Sequence, residues 1–304
     1  MRWVKIVFSA LFFILAIGLL GFYWFFPSGT LDFNLGTRNY NFSVSHGSEE
    51  MQFYENMRFP LPEISYKILD CPLQKEDEME YAFEILSNIS LLNFYQVGDN
   101  EEISVTCDSK NKMQGGLFIA GEGGPTNITR AGEFSVIRSG KILLIRESKC
   151  EKPNIALHEL LHVLGFKHSL NKNNIMYNIS KCNQIIGEDT IRLIDELYSY
   201  PSYPDLVFEN VSAKMTGRFL DTNITIRNNG LDYVESAKLI ISVDGKEIKE
   251  VDVKQLQIGF GRMMVFENIF VSNLVVNEIE FYIEYDGEEL EKENNKIKLE
   301  IKSS

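Results

Sequence analysis

The sequence predicts three parts: one membrane-spanning helix at the N-terminus, an α+β domain, and an all-β sandwich at the C-terminus. Three observations lead to this fold class. An apolar run occupies the start of the chain, strand and helix patterns alternate up to residue 200, and only short alternating segments follow from residue 206. A chain of 304 residues agrees with about two globular domains, and its 44% of hydrophobic residues can supply their cores.

The N-terminal segment, residues 1–26, is predicted to be a transmembrane signal anchor. Arg2 and Lys5 precede a run from Ile6 to Phe26 that contains no charged residue. About 20 apolar residues cross the bilayer core as a helix, and positive charge in front of the run places the N-terminus in the cytoplasm. The run ends in aromatic residues, which suit a membrane interface better than the small-residue cleavage site of a signal peptide. A secreted protein, released by signal cleavage, is the alternative.

The rest of the chain is therefore expected outside the cell, and its cysteines agree with that location. All four, Cys71, Cys107, Cys150 and Cys182, lie beyond the apolar run, in a compartment where disulfides persist. An even number of cysteines permits two bridges and leaves three connectivities open. The formal net charge of −13 argues against a nucleic-acid partner, because phosphate contacts need a basic surface.

Residues 27–59 show no clear periodicity and are predicted to be a polar stem, and residues 60–200 are predicted to be the α+β domain. Within that domain an apolar stripe predicts a helix over residues 74–97. The glycine-rich stretch 115–129 indicates a loop or an edge strand. Alternating residues predict strands over 63–70, 102–108 and 140–148.

Residues 206–304 are predicted to be an immunoglobulin-like β-sandwich. The short linker YPSYPD precedes them, and hairpin-type turns (NNG at 228–230, DG at 244–245 and 286–287) separate alternating segments. About seven short strands in about 100 residues are typical of such a sandwich.

The stretch HELLHVLGFKH, residues 158–168, contains three of the four histidines. His158 and His162 are four residues apart on a predicted helix, so their imidazoles share one face and can reach a single zinc ion. Gly165 can turn the chain sharply and bring His168 to the same ion. Three protein ligands leave a fourth position for water, as a catalytic zinc site requires.

Glu159 follows the first histidine and can reach a water molecule at the metal without being a ligand, which is the position of a general base. The alternative is a buried amphipathic helix whose histidines are satisfied by hydrogen bonds. Five fixed positions within eleven residues, followed by a methionine at Met176, are a catalytic signature that disfavours this alternative.

The segment HELLHVLGFKHSLNKNNIMY resembles the zinc-binding helix and Met-turn of the metzincin metalloproteases. Ser169 and the pair Met176–Tyr177 are most similar to the matrixin branch. The resemblance implies that Met176 forms a hydrophobic floor beneath the metal, that residues 187–198 form a closing helix, and that a strand within 117–145 binds substrate. It further implies zinc ligands and a base at His158, His162, His168 and Glu159.

The sequence departs from the matrixin pattern at one cysteine. Cys71 lacks the prosegment motif that carries the inhibitory cysteine of matrixins, so it is interpreted as half of a disulfide.

The C-terminal domain resembles CARDB-type immunoglobulin-like modules of cell surfaces, which implies a role as an adhesive unit or a spacer.

The positions of the cysteines then predict two disulfides. Cys71 and Cys107 each follow one of two strands that a helix joins, and such strands are commonly parallel neighbours. Cys150 lies just before the zinc helix and Cys182 just after the Met-turn, so a bridge between them would clamp the active-site segment.

The function predicted from the sequence is that of a membrane-anchored extracellular endopeptidase that hydrolyses peptide bonds with a zinc-activated water. One zinc ion is expected, while a structural calcium ion stays open. The expected partners are a protein or peptide substrate, the membrane, and a cell-surface partner of the C-terminal domain. A non-catalytic surface adhesion protein with a structural zinc site is the alternative.

Overall fold

The computed structural model describes residues 2–25, 30–34, 48–109, 112–114, 117–273 and 275–300. The chain divides into two compact units. One, called here the α+β unit, comprises Tyr40–Pro204 and Asn229–Asp232. The other, called the sandwich unit, comprises Met1–Asn39, Asp205–Asn228 and Tyr233–Ser304.

The first helix, α1, covers Arg2–Phe25. Among the residues whose side chains are described, no helix is both long and apolar enough to span a membrane.

The α+β unit contains four helices and eight strands within its described residues. The helices are α2 (Ser48–Met51), α3 (Leu73–Ile89), α4 (Asn154–Val163) and α5 (Glu188–Ser199). The strands are β2 (Met57–Arg58), β3 (Glu63–Leu69), β4 (Asn93–Gln96), β5 (Ile103–Cys107), β6 (Lys112–Gln114), β7 (Leu117–Ile119), β8 (Gly121–Ala131) and β9 (Phe134–Leu144).

The main sheet of this unit is mixed. Strands β4, β3, β5 and β9 are parallel neighbours in that order, β2 pairs in parallel with the start of β9, and β8 runs antiparallel to β9. Alternating apolar side chains of β3, β5 and β9 are buried, as is the stripe of α3, so the sheet and helices share one core. In the described part of the chain β9 is the only strand partner of β8, which therefore forms an edge of the sheet.

The helix predicted over residues 74–97 is shorter in the structure. It ends at Ile89, because Ser90 has extended backbone angles (φ −142°, ψ 177°) and the chain enters β4. Strand β4 then pairs with β3 from Glu63↔Asn93 to Tyr66↔Gln96. The pairing gives these backbone groups partners in the sheet, which a continuing helix would not provide.

Two disulfides tie the α+β unit together. Cys71–Cys107 joins the ends of the neighbouring parallel strands β3 and β5, with 5.1 Å between its Cα atoms. Cys150–Cys182 joins the segment before α4 to the segment before α5, with a Cα distance of 5.0 Å. These are the same pairs that the sequence predicts.

The sandwich unit consists of two antiparallel sheets around one apolar core. Their strand orders are β1-β10-β11-β14 and β13-β12-β15-β16. The elements are β1 (Thr30–Asn34), β10 (Leu206–Thr216), β11 (Phe219–Asn228), β12 (Val234–Val243), β13 (Lys246–Leu256), β14 (Gly261–Phe270), β15 (Glu278–Glu284), a 3-10 turn (Glu293–Asn295) and β16 (Lys296–Glu300). Residues from both sheets are buried against one another, among them Leu220, Ile224, Leu239 and Phe281.

The predicted stem, residues 27–59, differs in the structure, because it contains elements of both units. Strand β1 pairs with β10 of the sandwich from Thr30↔Thr216 to Asn34↔Ser212. Helix α2 and strand β2 lie in the α+β unit, where Met57 and Phe59 are fully buried. These pairings join residues far apart in the chain, which explains why no local periodicity marked them.

Candidate metal centre

Helix α4 carries His158, Glu159 and His162, and a sharp turn ends it. Gly165 has φ +95°, a conformation that an L side chain resists. The N–H of Gly165 donates to the His162 carbonyl and the N–H of Phe166 donates to the Leu161 carbonyl. This pair of hydrogen bonds is a Schellman motif. It reverses the chain within a few residues and directs His168 back towards the helix.

The three histidines converge on one point. The Nε2 atoms of His158 and His162 lie 3.1 Å apart, and each is 3.2 Å from Nε2 of His168. Histidine, cysteine and acidic side chains can all bind metal ions. Among the described residues, these three histidines are the group whose ligand atoms lie close enough together to hold one. His162 is buried, His158 partly buried and His168 exposed, so the centre opens to solvent on the His168 side.

Backbone carbonyls fix which nitrogen of two imidazoles carries the proton. Nδ1 of His158 lies 2.7 Å from the Ile175 carbonyl oxygen, and Nδ1 of His162 lies 2.7 Å from that of Phe166. A carbonyl only accepts, so each Nδ1 donates and each Nε2 presents a lone pair. Two lone pairs cannot hydrogen-bond to each other. Their approach is therefore favourable only with a cation between them, which is the arrangement of metal-binding histidines.

The surroundings keep these imidazoles neutral, which is the form that binds a metal. Burial, followed by the neighbouring His158, lowers the pKa of His162 to about 4. Burial is also the main cause that lowers the pKa of His158 and of His168.

Glu159 lies beside the histidines and against the edge strand β8. Its side chain is 6% exposed, and its carboxylate accepts a hydrogen bond from the backbone N–H of Gly123. Burial, followed by the charge of Glu122, raises the pKa of Glu159 to about 8. A divalent cation at the histidines would act in the opposite direction and favour the carboxylate.

The segment around Met176 supports both ends of the histidine cluster. Met176 is buried, and its carbonyl accepts the N–H of Ser169, directly after His168. Its own N–H donates to Oδ1 of Asn174 at 2.8 Å. Because the preceding residue, Ile175, accepts from His158, this one turn orients the first histidine and the loop of the third.

The structure brings the Nε2 atoms of the three predicted histidine ligands together, places Glu159 on the same helix as two of them, and adds other residues. Gly121 and Gly123 of β8 contact Glu159 so closely that neither position has room for a Cβ atom. The ring of Phe53 stacks on the ring of His162. The glycine-rich stretch 115–129 was a sequence signal for Gly121 and Gly123. Phe53 lies in the predicted stem, where no sequence pattern indicated a role for it.

A mixed sheet with an antiparallel edge strand, a helix carrying two of three converging histidines, and a methionine turn define a metzincin-like metal centre. Comparison with protein families agrees: residues 61–199 match the family model described as Matrixin, a peptidase family. The resemblance inferred from the motif is therefore confirmed: residues 61–199 are similar to the matrixin family of metallopeptidases.

Two further comparisons were made, with curated proteins and with solved structures. Comparison with curated proteins finds no match. Among solved structures, the chain is similar to the CARDB domain of the PF1109 protein from Pyrococcus furiosus, which was solved in complex with di-metal ions. The identity is 18%, the match covers 33% of this chain and 87% of that one, and the TM-score is 0.28.

Proposed function

We propose that the chain is a membrane-anchored extracellular zinc endopeptidase in which Glu159 acts as general base. The observation that carries the proposal is the convergence of three imidazole Nε2 atoms, 3.1 to 3.2 Å apart, beside a buried carboxylate. The matrixin match supports a metallopeptidase that acts on a protein or peptide.

The donor set suits zinc. A tetrahedral zinc ion with bonds of about 2.0–2.1 Å keeps its ligand atoms about 3.3–3.4 Å apart, close to the separations of His158, His162 and His168. Three neutral nitrogens are a common ligand set of catalytic zinc, and they leave one position open. Zinc in this place would polarise the attacking water and the scissile carbonyl.

Glu159 is the general base in this proposal. It follows His158 on α4, and its carboxylate accepts a hydrogen bond from the Gly123 N–H of β8. The carboxylate takes a proton from the attacking water as the new C–O bond forms. It then delivers that proton to the amide nitrogen as the C–N bond breaks.

Strand β8 is the proposed docking site for the substrate. A peptide in extended conformation would add to its free edge, with main-chain hydrogen bonds providing affinity. This is supported by the position of β8 next to both β9 and Glu159, because a bound peptide would then pass the catalytic group.

The alternative is a surface adhesion protein in which the histidines hold a structural zinc ion. Structural zinc sites are usually closed by four protein ligands. Here three histidines converge and the third is exposed. A site that only retains metal also does not need the Glu159 carboxylate, which β8 holds in place. The catalytic function is therefore favoured.

The test is a peptide-library digest by the purified ectodomain, with Glu159→Gln as the matched control. The variant keeps the size of the side chain but removes the base. It should retain zinc by elemental analysis and lose cleavage by about 10²–10⁴-fold. Full cleavage by Glu159→Gln would refute the proposed mechanism, and a parent protein without zinc would refute the metal site.

The membrane anchor is a separate part of the proposal. Helix α1 has 24 residues and would be about 36 Å long, against about 30 Å of hydrocarbon in a bilayer. Most of its described apolar side chains are exposed, among them Phe8, Leu11, Phe12 and Leu19. Protease added to intact cells should then remove both units. A mature N-terminus near Ser28 or Gly29 would instead establish a cleaved signal peptide.

The sandwich unit is proposed to present the peptidase unit or to bind a cell-surface partner, with a plain spacer as the alternative. Its core is apolar and needs neither of the disulfides, since all four cysteines lie in the α+β unit. Binding of the isolated peptidase and of the full ectodomain to cells, measured side by side, would distinguish the two roles.

A further inference from the structure

The segment Met51–Phe53, called here the strap, lies beside the turn that separates the second and third histidines. The N–H of Phe53 donates to the Gly165 carbonyl at 2.8 Å, and the N–H of Lys167 donates to the Met51 carbonyl at 2.9 Å. The strap thus pairs antiparallel with residues 165–167. It precedes the part of the chain that matches the matrixin family, residues 61–199.

Gln52 locks the strap in place. Its side chain is only 1% exposed. Its amide nitrogen donates to the Met57 carbonyl at 2.8 Å, and its amide oxygen accepts the Met57 N–H at 2.9 Å. These bonds close a tight loop over residues 52–57, so the backbone that carries Phe53 is held from both sides.

The ring of Phe53 occupies a distinctive place next to the metal centre. It stacks on the His162 ring, with 5.9 Å between ring centroids and 25° between planes. His162 is 8% exposed, whereas Phe53 remains 46% exposed. One side of Phe53 therefore covers a metal-binding imidazole, and the rest of the ring faces solvent.

We infer that Phe53 is a specificity-determining residue whose exposed ring contacts an apolar side chain of the bound peptide. The inference rests on the proposed peptidase function. His162 directs its Nε2 atom at the reaction centre, so a peptide cleaved there passes within side-chain reach of the ring stacked on His162. Burial of the exposed part of Phe53 against an apolar side chain would favour such peptides. Because the strap is already ordered, little conformational entropy is lost on binding.

The experiment compares the zinc-loaded ectodomain with Phe53→Ala in a peptide-library digest, followed by kcat and KM on the best peptide. The variant should lose the preference for a large apolar residue at one substrate position. Its kcat/KM for that peptide should fall roughly 10-fold or more, mainly through KM. Phe53→Tyr, which keeps the ring, should restore the preference. Tyr54→Ala is the matched control, because Tyr54 is the adjacent aromatic residue and is 60% exposed.

Zinc content and thermal stability of each variant separate the possible failures. Phe53→Ala with normal zinc and an unchanged cleavage profile would overturn the inference while leaving the proposed function intact. A loss of zinc or of folding in Phe53→Ala that Phe53→Tyr repairs, with kcat rather than KM reduced, would also overturn it in favour of a structural role. A parent protein that cleaves no peptide would instead contradict the proposed function itself.

Discussion

Gly121 and Glu159 approach so closely that no side chain fits between them. A Cβ atom added to Gly121 would lie 2.7 Å from Cγ of Glu159 and 2.8 Å from its Oε1, well inside van der Waals contact. The absence of a side chain on the edge strand therefore determines where the carboxylate lies relative to the three histidines.

Gly121→Ala is expected to displace the Glu159 carboxylate and reduce kcat without removing zinc. A small error in the position of a catalytic group can cost about 100-fold in rate, and a loss of roughly 10- to 100-fold is expected here. Steady-state kinetics together with zinc analysis would measure it. Gly124→Ala is the control on the same strand, since a Cβ there meets nothing within 4 Å. Equal activity of the two variants would show that Gly121 does not position the base.

Gly165→Ala is expected to weaken zinc binding through the turn that carries His168. The position has φ +95°, and an alanine Cβ would stand 2.7 Å from Cβ and 2.8 Å from Sδ of Met57. A left-handed conformation costs an L residue about 1–2 kcal/mol, and the clash adds to this cost. Competition with a zinc chelator and thermal unfolding would measure the two effects. Gly98→Ala, where a Cβ meets nothing within 4 Å, should show neither.

The metal site could be predicted from the sequence because its geometry is local. A helical spacing of four residues between two histidines and a glycine turn before the third bring the Nε2 atoms within 3.2 Å of one another. The disulfides could be predicted for a related reason. Cys71 and Cys107 end neighbouring parallel strands, so the strand order alone brings them together.

The parts that the sequence did not reveal depend on contacts between distant residues. Gln52 and Leu164 are 112 positions apart, and the strap shows no periodicity of its own. Strand β1 likewise pairs with β10, from Thr30↔Thr216 to Asn34↔Ser212, so its partner lies far along the chain. The glycine-rich stretch indicated a loop or an edge strand. The structure shows why this stretch needs glycine: Gly121 packs closely against Glu159. That contact is a property of tertiary packing, which no local sequence pattern encodes.

Zinc is expected to stabilise the folded ectodomain, because a ligand that binds only the folded state raises its stability by mass action. At 100-fold excess over the dissociation constant the gain is about 2.7 kcal/mol. A chelator should lower the temperature of unfolding, and added zinc should restore it. His168→Ala should abolish most of this response, whereas Glu159→Gln, which removes no ligand, should keep it. An equal response from both variants would contradict the proposed ligand set.

The stability of the sandwich unit is expected to fall as the pH rises through about 6, because of Asp205. This carboxyl is 8% exposed and accepts a hydrogen bond from Nδ2 of Asn294 at 2.7 Å. Burial raises its pKa to about 6, and the nearby Glu289 acts in the same direction. The folded chain therefore holds a proton that the unfolded chain has already released, so protonation contributes stability below about pH 4 that is lost as the pH passes 6.

Asp205→Asn tests this dependence, because an amide cannot ionise but its Oδ1 can still accept from Asn294. The substitution also alters the hydrogen bond from the Glu291 backbone, so the change of stability with pH, and not the absolute stability, is diagnostic. Relative to the parent, the variant's free energy of unfolding should rise by roughly 1–3 kcal/mol between pH 4 and 7. Urea unfolding at several pH values would measure it, with Asp286→Asn, an exposed residue of the same unit, as the control for the loss of one charge. Parallel curves for Asp205→Asn and the parent would mean that this carboxyl does not titrate between the folded and unfolded states in that range.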